Sequence, residues 1–183
     1  MAGSGNNESG KDVVHAGVHP SLVNFVGADR VKEYMRRDAE HISEGNRDWT
    51  SSLLPHISLV AASSAQPHPK LVFAYTVQAE HCNRLGNLHG GCAATLFDFL
   101  TTMVLTQVNS PGFWWFLGVS RTLNVTYLRP MPLDQTFHFE CEIVHVGKRL
   151  AALKGTAKRP SDGAVMAICE HGKVNTDPPM GKI

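Results

Sequence analysis

Asn83–Thr106 reads NRLGNLHGGCAATLFDFLTTMVLT. A polar loop runs into a double glycine, Gly90-Gly91, and then into a segment that is apolar almost without interruption. A helix that is apolar nearly all round has to be covered on most sides. One carboxylate, Asp98, stands among Leu96, Phe97, Phe99 and Leu100. With Thr95, Thr101 and Thr102 at spacings of three and four it makes a short polar stripe on one helix face. A carboxylate in such surroundings is costly unless it is paired or used.

Working outward, the rest of the chain alternates with the period of strands. Leu71–Glu80 places Leu71, Phe73, Tyr75, Val77 and Ala79 on one face. Ile57–Ser63 is a weaker strand, closed by Gln66-Pro67-His68-Pro69. Further back, Asp29–Ile42 carries Val31, Tyr34, Met35, Ala39 and Ile42 at helical spacing, with charges between. After the central segment, Phe116–Leu128 alternates Leu117, Val119, Leu123, Val125 and Tyr127 against Ser120, Thr122, Asn124 and Thr126. Arg121 interrupts the apolar face. Thr136–Val146 alternates through Phe137, Phe139, Cys141 and Ile143. Arg149–Arg159 and Ala164–Asn175 are joined by the hairpin signal Pro160-Ser161-Asp162-Gly163. The pattern predicts an α+β fold: an antiparallel sheet of about six strands curled around one long central helix. One sheet covers one side of that helix, so a second subunit is the natural cover for the other. Residues 1–28 read as a tail, 29–176 as the domain with its N-terminal helix, and 177–183 as a second tail.

Composition narrows the function. The chain has 183 residues, 43% of them hydrophobic, enough for a real core. A net charge of +1 argues against a nucleic-acid partner. Cys82, Cys92, Cys141 and Cys169 form no C-x-x-C pair and match no zinc spacing, so no metal is expected, and a reducing intracellular compartment is. No apolar run is long enough to span a membrane, so no stable membrane insertion is expected. The start MAGSGNNESGKDVV lacks secretory and transit patterns. A cytoplasmic location is the default reading, with a mitochondrial one left open.

The chemistry concentrates where the opening stretch turns into helix. Glycines at Gly90 and Gly91 let a ligand approach the backbone closely. The first amides of a helix lack internal partners and carry the positive end of its dipole. They therefore suit a carbonyl oxygen that gains negative charge, the geometry of an oxyanion hole. The same glycines also serve as a plain helix entry. Asn83 can donate a second bond to that oxygen or can satisfy loop backbone. His89 can act as a base, or fix the loop. Asp98 is either held by structural hydrogen bonds or poised to activate water. It lies eight residues after Gly90, about 12 Å along the axis. A carbon held at Gly90 is thus poorly placed for Asp98 of the same chain. Two such helices packed antiparallel across a two-fold would bring the two together.

H-C-N-R-L-G-N-L-H-G-G over His81–Gly91, followed by Ala94-Thr95-Leu96-Phe97-Asp98, resembles the motif of hotdog-fold acyl-coenzyme A thioesterases of the PaaI-like, thioesterase superfamily member 2 type. The resemblance covers roughly residues 54–174. Gly118-Val119-Ser120, Asn124-Val125-Thr126-Tyr127 with Pro130, and Gly147-Lys148-Arg149-Leu150-Ala151 support it. It implies a hotdog fold, dimerised edge to edge and paired into homotetramers, acting on acyl-coenzyme A without a cofactor. It implies that the Gly90 amide and Asn83 polarise the thioester carbonyl, and that His89 holds the loop and Asn83. Asp98 of the neighbouring subunit is implied as base or nucleophile, with Ser120 orienting the water. It places substrate contacts at Gly91, near Tyr127 and Arg129, and on the Gly147, Lys148 and Arg149 turn.

The chain departs from that pattern in its N-terminal extension, in Arg121, and in the aromatic run Gly112-Phe113-Trp114-Trp115-Phe116. The tryptophans suit an acyl tunnel, a subunit interface or simple packing. Two rival functions follow: release of a product from an acyl or polyketide carrier protein, and acyl binding without turnover.

Overall fold

The computed structural model describes residues 20–178. Its elements are helix α1 (Gly27–Ser43), strands β1 (Ile57–Ser63) and β2 (Lys70–Thr76), helix α2 (Gly90–Met103), and strands β3 (Val119–Tyr127), β4 (Thr136–Val146), β5 (Leu150–Lys158) and β6 (Val165–Val174). The strands form one sheet in the order β1-β2-β4-β5-β6-β3, and every neighbouring pair is antiparallel. The sheet wraps α2, as the sequence predicts. No described helix is long and apolar enough to cross a membrane.

Strand alternation sets which side faces α2. Leu71, Phe73 and Tyr75 of β2 stand opposite Cys141, Phe139 and Phe137 of β4, and all six are buried. α2 lays Ala93, Leu96, Phe97, Leu100, Thr101 and Met103 on this layer. Phe97 meets Phe139 edge to face, with ring centroids 5.1 Å apart. The outer face is polar. Lys70, Glu142, Lys154 and Glu170 form a row of alternating charge across four strands. The core therefore lies wholly on the helix side.

At Gly155 of β5 the side chains of α2 pack directly on the strand backbone. A Cβ there would stand 2.6 Å from Cδ1 of Phe97 and 3.0 Å from Cγ2 of Thr101. Gly155→Ala is expected to lose about 1–3 kcal/mol by overpacking, read from the urea midpoint. A midpoint equal to wild type would mean that α2 can lift off β5 freely.

The structure revises several expectations. The N-terminal tail ends before residue 28: Pro20–Asn24 form a 3-10 turn, Leu22 is buried, and α1 begins at Gly27. Residues 1–19 and 179–183 of the expected tails lie outside the described residues. Asp177 is engaged, its carboxylate accepting the amides of Trp115 (2.7 Å) and Phe116 (2.9 Å). α2 ends at Met103 and tightens into a 3-10 turn, Val104–Gln107. β3 starts at Val119 rather than Phe116, because Trp114, Leu117 and Gly118 all take positive φ. Only glycine fits at Gly118, where a Cβ would be 2.3 Å from the Val174 carbonyl oxygen. Trp114 is buried and donates its indole N–H to the Gly147 carbonyl (2.7 Å). It is packing that holds the β4–β5 turn.

The most consequential revision is at Arg121. The β3–β6 register shifts between Ser120 and Thr122, leaving Arg121 as the extra residue of a β-bulge. A bulge changes which face the residues beyond it occupy. Ser120 therefore reaches α2 from the same side as Leu123, Val125 and Tyr127, not from the opposite side as strict alternation predicts.

Candidate active site

The loop before α2 is a small hydrogen-bonded turn. The Asn83 amide donates to the Asn87 carbonyl (2.7 Å), and that of Gly86 to the Asn83 carbonyl (3.0 Å). The Asn83 side-chain oxygen accepts from the amides of Leu85 (2.9 Å) and Asn87 (3.3 Å). This fixes the side chain with its oxygen inward and leaves its N–H donors without an acceptor among the described residues. The His89 amide donates to the His81 carbonyl (2.8 Å). Buried His81 is clamped between Tyr75 Oη (2.6 Å) and Ser52 Oγ (3.1 Å).

His89 caps the helix. Its Nδ1 accepts the Gly91 amide at 3.0 Å. The ring therefore holds the loop through Gly91, and no bond joins it to Asn83. The Gly91 amide is consumed by this cap. The Gly90 amide has no acceptor among the described residues, so Gly90 and Asn83 are the donors left open at this end. Tyr127, at the end of β3, donates its hydroxyl to the Gly90 carbonyl (2.7 Å). A Cβ on Gly90 would sit 3.4 Å from its ring. Burial raises the Tyr127 phenol above its ordinary range, so it stays a donor.

Asp98 belongs to a second group. Ser120 Oγ donates to Asp98 Oδ1 at 2.5 Å. His171 of β6 contacts both, its Nε2 lying 3.0 Å from Ser120 Oγ and 3.3 Å from Asp98 Oδ1. Its Nδ1 lies 2.6 Å from Thr101 Oγ1. Burial, then the charge of Lys173, pushes His171 down to about 4, so the ring is neutral near pH 7. Ser120 has one proton, and the carboxylate is its strongest acceptor. Nε2–H of His171 donating to Ser120 Oγ is consistent with this, while Thr101 Oγ1 donates to the Phe97 carbonyl (2.6 Å) and lies against Nδ1. A bare Nε2 would instead set a lone pair against the Asp98 oxygen. Donors thus run His171 to Ser120 to Asp98. The Asp98 side chain is half exposed (46%), not sealed in the core. Its Oδ2 has no partner among the described residues.

The remaining predicted residues lie at the margins. Arg129 donates to the Val165 carbonyl (2.6 Å). Gly147 gives its carbonyl to Trp114 and its amide to the Leu150 carbonyl (2.9 Å). Lys148 and Arg149 project from that turn, exposed and with no ion pair among the described residues. Lys158 is paired with Glu140 (2.6 Å) and Arg159 with Asp162 (2.8 Å). No cluster of three or more His, Cys, Asp or Glu suited to a metal occurs among the described residues.

Two separate groups of polar residues therefore lie along α2. Asn83, Gly90 and Tyr127 gather at the N-terminus of α2. Asp98, Ser120 and His171 gather two turns along it. The sequence reading missed His171 and Lys173. Their signal was two ionisable residues on the inward face of an otherwise apolar strand, Ala167, Cys169, His171 and Lys173.

A family model described as Thioesterase superfamily matches residues 85–170. Acyl-coenzyme A thioesterase 13 of Mus musculus is 32% identical over 123 residues, covering 66% of this chain and 81% of that protein. The crystal structure of thioesterase superfamily member 2 from Mus musculus is similar, with a TM-score of 0.62 at 28% identity, covering 79% of this chain and 93% of that one. A hypothetical thioesterase from Streptococcus pneumoniae, solved with coenzyme A, has a TM-score of 0.61 at 19% identity, covering 81% and 98%. At that identity the likeness concerns the fold.

Proposed function

The chain belongs to the thioesterase superfamily, and on that premise we propose that it hydrolyses acyl-coenzyme A thioesters at two sites, each shared between two copies of the chain. The observation that carries this reading is the separation of the half-sites: open donors at Gly90 and Asn83, and a free carboxylate oxygen on Asp98 two turns away. β3 is hydrogen-bonded to β6 alone and is an outer edge of the sheet. Val119 (53%) and Tyr127 (51%) are exposed along it. Ser120, near one end of β3, is tied to Asp98, and Tyr127, at the other end, is tied to Gly90. An antiparallel pairing of two β3 strands that sets Ser120 beside Tyr127 of the partner subunit carries each Asp98 to the Gly90 of the other copy. It also removes two unpaired sheet edges. The alternating charges of the outer face suit a second pairing, of dimer on dimer.

In this scheme the thioester oxygen accepts from the Gly90 amide and the Asn83 side chain. Asp98 Oδ2 takes a proton from a water whose oxygen adds to the carbonyl carbon. The negative charge that develops falls on the two donors. The intermediate collapses with cleavage of the C–S bond, and the proton held by Asp98 passes to the departing thiolate. Water, carbonyl and proton then balance to a carboxylic acid and a thiol, and no cofactor takes part. Lys148 and Arg149 face the phosphates of coenzyme A, and Tyr127 and Arg129 flank the entry.

Thiol release measured across short, long and aromatic acyl-coenzyme A substrates tests the reaction. Release from at least one is expected. Release from none would remove the reading, and release from carrier-bound acyl groups alone would redirect it to a carrier protein.

A further inference from the structure

Lys173 of β6 takes no part in the hydrolytic scheme, yet it is 97% buried at the edge of the site, with 3% of its surface exposed. Its ammonium has one hydrogen bond among the described residues, to Thr102 Oγ1 at 2.9 Å. That acceptor is neutral, and it donates its own proton to the Asp98 carbonyl (2.7 Å). A buried cation held by a single neutral oxygen weakens a fold, and an apolar side chain of the same length packs better. Stability therefore does not account for the residue.

Its position does. Lys173 is two residues from His171 on one strand face. Thr102 is one turn beyond Asp98 on the polar stripe of α2. The ammonium thus reaches the Asp98 turn of α2 through Thr102, whose hydroxyl bonds the Asp98 carbonyl. The groups that face this point are few among the described residues: Asp98, Thr101 and Thr102 from α2, Ser120 from β3, and Cys169, His171 and Lys173 from β6. Burial pushes the Cys169 thiol up to about 12, so it carries no charge. Glu170 points to the other face of the sheet. Lys173 is the only cation of the set near neutral pH.

Resting on the hydrolytic reading above, we propose that Lys173 is a positioning residue whose buried charge keeps the proton off the Asp98–Ser120–His171 group, so that Asp98 remains a base as the pH falls. A positive charge favours a carboxylate and opposes an imidazolium, so both effects have the same sign. Lys173 is the largest cause after burial of the low His171 value, and Asp98 in turn opposes the burial that brings Lys173 down to about 8.

The test is the pH profile of kcat/KM for wild type, Lys173→Met and Lys173→Arg on one substrate, with thermal melts of each. Lys173→Met is expected to melt at or above the wild-type temperature. The midpoint of its acid limb should rise by about one unit, so that kcat/KM approaches a tenfold loss on the acid side of both midpoints. Well above both midpoints, where Asp98 is ionised in either protein, the two profiles should coincide. Lys173→Arg should keep the wild-type acid limb. Lys173→Gln, which retains a donor for Thr102, replaces Met if that variant does not fold. An unshifted acid limb in the neutral variant, or an equal loss at every pH that follows a lowered melting temperature, overturns the proposal. Asp98→Asn assayed alongside separates this from the reading it rests on. If Asp98→Asn is fully active, the base assignment fails. If it is inactive while Lys173→Met is unshifted, only Lys173 is removed.

Discussion

Asp98→Asn is expected to keep the fold and substrate affinity while lowering kcat by about two to four orders of magnitude, the usual range for loss of a general base. The geometry makes the substitution a clean one. Asp98 Oδ1 accepts from Ser120, and an asparagine oxygen can accept the same bond. What is lost is Oδ2, the oxygen with no partner among the described residues. An amide nitrogen in its place cannot take a proton from water. The side chain is half exposed and its only ion-pair contact among the described residues is a neutral histidine, so little stability rests on its charge. Steady-state thiol release, with circular dichroism and a melting curve on the same preparation, gives the answer. Turnover near the wild-type value would take Asp98 out of the mechanism. A drop in kcat accompanied by an equal drop in melting temperature would mean that the carboxylate is structural.

How far the sequence leads depends on whether local pattern or long-range pairing decides each feature. Strand and helix positions follow from periodicity, and five of the six strands begin within one residue of where alternation places them. β3 is the exception, and it matters most. The positive φ at Trp114, Leu117 and Gly118 depends on contacts with Val174 and Gly147, some 30 to 60 residues away. The Ser120 bulge depends on register with β6. Arg121 on an apolar face was the local trace of that bulge, since a charged residue fits where the strand leaves the pleat. The candidates Asn83, Gly90 and Asp98 stand out in the sequence because they fall in one compact motif. His171 does not, because its role exists only once β6 pairs with β3 and brings a distant imidazole to Ser120. The strand order β1-β2-β4-β5-β6-β3 moves β3 across the sheet to pair with the last strand. Nothing in the alternation of β3 announces that neighbour.

The proposed division of the site between two copies carries the second large expectation. Asn83→Ala removes an oxyanion donor and is expected to cost about 100- to 1,000-fold in kcat. Asp98→Ala removes the base, with a loss of similar size or greater. If each site takes Asn83 and Gly90 from one copy and Asp98 from the other, a dimer of one variant with the other has one site bearing both lesions and one bearing neither. Random remixing makes about half of the dimers mixed, so about a quarter of wild-type activity should return from two nearly inactive parents. A site contained in one chain gives no such recovery, because every site then carries a lesion. The separation along α2 already favours recovery: Gly90 and Asp98 lie about 12 Å apart along one continuous helix, and a single thioester carbon cannot meet both. Remixing needs exchange of subunits, so it is best done by refolding the two variants together or by co-expression with different tags. A mixture that contains mixed dimers by tag capture and yet is no more active than its parents would place the whole site within one chain. The β3 edge would then require another reason for its exposed Val119 and Tyr127.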